Sequence, residues 1–114
     1  MTGHLIPNIT GLYRFLLHSD DQGRIFLSTD AERANATLLV EENGCCGQIE
    51  SPDRMLVAGQ AYYIEGFMKE GGGGDRLELR WRTADNQVPS WTMIPSGNLA
   101  YRYSLSINQN NLEY

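Results

Sequence analysis

Histidine and cysteine are scarce, at two of each in 114 residues. His4 lies near the terminus and His18 at the end of a strand-like run, where a lone imidazole is an ordinary polar residue. A set of Ser19, His18 and Asp20 can be assembled on paper, but sequence neighbours in a strand point to opposite faces, so it fails as a relay. Cys45 and Cys46 are adjacent between Gly44 and Gly47. Two neighbouring thiols cannot staple distant elements, and two alone do not make a metal site. Two thiols in a loop, a vicinal disulfide and pairing outside the chain all stay open. Motifs of the G-x-S-x-G, H-E-x-x-H, C-x-x-C and P-loop kinds are absent, which argues against an enzyme.

Positive charge is scarce too. The net charge is −5 and the sequence pI about 4.9. Arg14, Arg76, Arg80 and Arg82 fall singly at alternate strand-like positions and form no patch, which argues against a nucleic-acid partner. No apolar run approaches the ~20 residues that a membrane helix needs. The first ten residues, MTGHLIPNIT, lack the charged and apolar regions of a signal peptide. Asn8-Ile-Thr10 and Asn35-Ala-Thr37 are glycan-acceptor triplets if the chain enters a eukaryotic secretory pathway.

Hydrophobic residues, at 41%, suffice for a folded domain, and the length allows one core. We expect a single domain over residues 1–107 and a polar tail over 108–114. Period-two alternation recurs along the chain. In Leu12 to His18, Tyr13, Phe15 and Leu17 share one face and Arg14, Leu16 and His18 the other. Arg24 to Ser28, Thr37 to Glu41, Met55 to Val57, Gln60 to Lys69, Arg76 to Arg82 and Tyr101 to Ile107 read as further strands. Asp30 to Asn35 has room for one short helical turn. Many short strands between turns predict an all-β fold, an antiparallel β-sandwich or barrel.

Two loops carry chemistry. Asp20 and Asp21 are neighbouring carboxylates in the turn after an apolar strand. They either face solvent or, held close, repel until a cation sits between them, and oxygen-rich sites of this kind suit Ca²⁺. Glu70, the four glycines 71–74 and Asp75 form the second loop. Four glycines carry a large entropic cost, and they allow a ligand or ion to reach backbone carbonyls directly. A flexible hairpin tip is the plainer alternative.

Gly11-Leu-Tyr-Arg-Phe-Leu-Leu-His-Ser-Asp-Asp-Gln-Gly and the later block from Ala58 through the glycine loop to Trp81 together resemble the PA14 family, over most of residues 3–103. The resemblance implies a β-sandwich in an extracellular or cell-surface protein. In adhesin-like members of that family, two adjacent aspartates joined by a cis peptide hold a Ca²⁺ that binds vicinal hydroxyls of a carbohydrate. Carried over residue by residue, Asp20, Asp21, Asp75, Gly73 and Gly74 are the expected metal ligands. Asp20, Asp21, Glu70, Gly72, Asp75 and Trp91 are the expected ligand-binding residues, with Tyr62 and Tyr63 as further stacking candidates. N-terminal strands of the family, ahead of Thr2-Gly3-His4, are wanting here. A second copy or a neighbouring domain is then a way to complete the sheet. The alternatives are a structural or protein-interaction module of a larger surface protein and an accessory domain of a glycoside-processing enzyme.

Overall fold

The computed structural model describes residues 2–19, 22–44, 47–68, 77–94 and 99–101. Among them are ten strands: β1 (Thr2–Leu5), β2 (Gly11–Ser19), β3 (Gly23–Ser28), β4 (Ala36–Glu42), β5 (Gln48–Glu50), β6 (Arg54–Leu56), β7 (Tyr62–Met68), β8 (Leu77–Thr83), β9 (Thr92–Met93) and β10 (Leu99–Tyr101). The predicted helical turn is a single 3₁₀ turn, Arg33–Asn35. One sheet runs β10-β1-β7-β3-β4 and the other β5-β2-β8-β9, with β6 also pairing β2. Every described pairing is antiparallel.

The alternation read in β2 is what closes the sandwich. Tyr13, Phe15 and Leu17 are fully buried between the sheets, where each large apolar side chain contributes about 1.5–3 kcal/mol of transfer free energy. Ile25 and Leu27 of β3, Ile64 and Met68 of β7, and Leu79 and Trp81 of β8 meet them. The Tyr13 and Trp81 rings lie 4.9 Å apart. Leu16 faces outward yet is buried, because it stands between Arg80 of β8 and Glu50 of β5, whose aliphatic stems cover it.

The β3–β4 ladder carries a register shift. Ile25 pairs with Val40 but Phe26 pairs with Leu38, leaving Leu39 as the extra residue of a bulge. A bulge reverses the alternation beyond it. Leu38 therefore points outward, while Leu39 and Val40 are both buried and Glu42, two residues on, faces inward.

The sequence reading missed β1, β5 and β9, and the strand expected at Met55 to Val57 lies one residue earlier. Asp20, Asp21, Cys45, Cys46, Glu70, Gly72, Gly73, Gly74, Asp75 and residues 102–114 lie outside the described residues, as does the expected cis bond between the two aspartates.

Candidate functional site

Three segments cross between the sheets at one end of the sandwich. Residues 20–22 carry the chain from β2 to β3, residues 43–47 from β4 to β5, and residues 69–76 from β7 to β8. Their anchor points are fixed by register. On the first sheet Gly23 stands between Glu42 and Met68. On the second, His18 stands between Gln48 and Glu78, and Ser19 is opposite Leu77. The crossing that carries Asp20 and Asp21 thus starts and ends between the anchors of the other two. The glycine-rich segment 69–76 has an end beside an end of it on each sheet.

Several described residues at this end are polar. Gln22 donates from Nε2 to the Asn43 carbonyl at 3.1 Å, tying the first crossing to the second. The Gly44 N–H donates to Glu42 Oε1 at 3.0 Å. Glu42 is only 8% exposed, and no lysine or arginine pairs with it among the described residues. Ser19 is wholly buried and its hydroxyl has no hydrogen-bond partner there. No group of three or more His, Cys, Asp or Glu side chains forms a metal cluster among the described residues.

The aromatic candidates are elsewhere. Trp91 lies beneath the Arg82 guanidinium, 5.0 Å from it, where β9 runs alongside the far half of β8. Arg82 is five residues along β8 from Leu77, or about 17 Å at the usual strand rise. Tyr62 accepts from the Val57 N–H at 2.7 Å, and Tyr63 donates to Glu65 at 2.7 Å. Both sit at the start of β7, away from Met68. The structure does not bring Trp91, Tyr62 or Tyr63 to the crossing end. Ser19 and His18 do not form a relay either, since Ser19 is buried between the sheets and His18 is half-exposed on the outer face.

The opposite end holds a shallow cavity of about 160 Å³, walled by Ile9, Tyr13, Trp81, Val88 and Pro89. The Tyr13 hydroxyl donates to the Ile9 carbonyl at 2.6 Å. Burial, only partly offset by that hydrogen bond, holds its pKa above the ordinary value.

A solved structure described as the PA14 sugar-binding domain from an RTX adhesin matches with a TM-score of 0.59 at 19% identity, over 88% of this chain and 51% of that one. The chain has the PA14 fold. It spans about half the length of the chain it matches. No protein-family model and no curated protein matches the chain. Within the PA14 fold described here, no helix among the described residues is long and apolar enough to cross a membrane. Glu42 and Gly47 were not expected at this end from the sequence, and Ser19 was weighed only as part of a relay. Nothing in the local pattern marks the bulge at Leu39, and without it Glu42 reads as a solvent-facing residue.

Proposed function

We propose that the chain is a calcium-dependent carbohydrate-binding module of the lectin or adhesion kind, belonging to an extracellular or cell-surface protein. The observation that carries this is the shared anchoring of two crossings. Ser19 opposite Leu77 and Gly23 opposite Met68 start and end the aspartate-bearing and glycine-rich segments side by side. A PA14 fold whose solved counterpart is described as sugar-binding supports the ligand class.

Asp20 and Asp21 would hold the Ca²⁺, with Asp75 and the carbonyls of Gly73 and Gly74 as further oxygen donors and Glu70 and Gly72 at the ligand. The carboxylates and hydroxyl at this end are the hard donors that calcium prefers, at six to eight per ion. Bound there, the ion supplies coordination to two adjacent hydroxyls of one sugar. The residues supply the negative charge, the backbone approach that glycine permits and a rigid double-sheet base. Recognition without turnover is the proposed activity.

A glycan array probed in calcium and again in chelator tests it. Signal on a set of glycans that disappears with chelator is expected. Equal signal in both conditions, or none in either, favours a structural or protein-interaction module.

A further inference from the structure

The Ser19 hydroxyl presents a problem that protein atoms among the described residues do not solve, and the buried Glu42 carboxylate has one described hydrogen bond. Burying a carboxylate is costly unless it is paired or bound to a metal. Glu42 is buried, and the single hydrogen bond described for it is the one from the Gly44 N–H. Burying a hydroxyl without a partner is costly too. The Ser19 hydroxyl is in that state.

The two groups face the same space. Ser19 continues the inward series Tyr13, Phe15, Leu17, and Glu42 continues the inward phase set by Val40 after the bulge. In the β2–β5 ladder Leu17 pairs with Ile49 and His18 with Gln48, so one further step of that register sets Gly47 beside Ser19. A Cβ on Gly47 would come within 2.7 Å of Glu42 Oε2. Glu42 therefore reaches the place where a side chain at position 47 would be, on the face that Ser19 shares. The Ser19 hydroxyl has no hydrogen-bond partner, so it does not bond the carboxylate directly, and an ion or water beside both would satisfy it.

We propose that the Glu42 carboxylate and the Ser19 hydroxyl form the inner, oxygen-lined wall of a seat for a hard divalent cation at the crossing end of the sandwich. The proposal rests on the calcium reading above and adds to it a third carboxylate, supplied by the opposite sheet. The bulge at Leu39 exists in this view to aim that carboxylate inward. Glycine at position 47 leaves it room.

The test is calcium titration by calorimetry, with thermal melting in calcium and in chelator, on the full chain and on Glu42→Gln and Ser19→Ala. Glutamine keeps the shape and can still accept from the Gly44 N–H. The expected result for Glu42→Gln is a calcium affinity 10- to 100-fold lower, the usual effect of losing a group that supports a metal site, with a melting temperature in chelator at or above that of the parent. Ser19→Ala removes an unsatisfied hydroxyl, so it should match or exceed the parent in chelator while gaining less from calcium. Calcium affinities of both variants equal to the parent's would overturn the proposal and leave the calcium reading standing, provided Asp20→Asn/Asp21→Asn abolishes binding. A parent chain that takes up no calcium overturns both.

Discussion

Ser19 and Leu77 are the last pair of the β2–β8 ladder. The segment that carries Asp20 and Asp21 leaves the second sheet at Ser19 and the glycine-rich segment enters it at Leu77, so the start of one lies beside the end of the other. Gly23, paired with both Met68 and Glu42, repeats the arrangement on the first sheet. The described ends of two segments far apart in sequence are thereby neighbours on both sheets.

Gly47→Ala tests the packing under those loops. The added methyl meets Glu42 Oε2 at 2.7 Å, and the buried carboxylate has to move or the second crossing has to shift. The clashing atom is the far end of a flexible side chain, which can swing aside, so the cost stays under the ~1–3 kcal/mol of an overpacked core. Urea denaturation in chelator should show a loss of less than about 1 kcal/mol. A loss of about 3 kcal/mol or more would mean that the carboxylate cannot move away from position 47.

Asp30 ties together the segment that follows β3, accepting from the Glu32 N–H at 2.9 Å, the Ser28 hydroxyl at 3.0 Å and Asn35 Nδ2 at 2.8 Å. These bonds, the one from the Glu32 backbone foremost, hold its pKa below the ordinary carboxylate value. A depressed folded-state pKa adds stability that is present above the unfolded value, near 3.9, and is lost as pH falls through the folded value. Calcium-free melts of the parent and Asp30→Asn should therefore differ at pH 7 and converge below about pH 4. A gap that stays constant down to pH 2 would show that the charge contributes nothing.

Trp91 serves the second sheet and not the crossing end. Trp91→Ala removes the ring beneath Arg82, a contact worth about 0.5–1 kcal/mol at an exposed site, and should leave calcium affinity and glycan binding unchanged. A loss of glycan binding with intact calcium binding would return Trp91 to the ligand site.

The fold was legible where alternation is strict. Tyr13, Phe15 and Leu17 in β2, Leu79 and Trp81 in β8, and Ile64 and Met68 in β7 occupy the faces their spacing assigned them. Short strands carry too few residues to establish a period, which is why Thr2–Leu5, Gln48–Glu50 and Thr92–Met93 escaped notice. Tyr63 and Glu65 lie on the outer face of β7, as their phase required, but are buried. The segment around Asp30 folds over them: the Tyr63 N–H donates to the Asp30 carbonyl at 2.8 Å, and Arg33 pairs with Glu65 at 3.6 Å. Of the proposed site, the two loops were picked out from their residues and from the resemblance. Glu42 was not, because its direction depends on one extra residue in β4 that leaves no mark in the pattern.

Calorimetric titration of calcium into the parent chain and into Asp20→Asn/Asp21→Asn tests the central claim most directly. The expected result is one saturable site in the parent and none in the double variant, with the two chains melting within a few degrees of each other in chelator. No calcium binding by the parent, or equal binding by both, would contradict it.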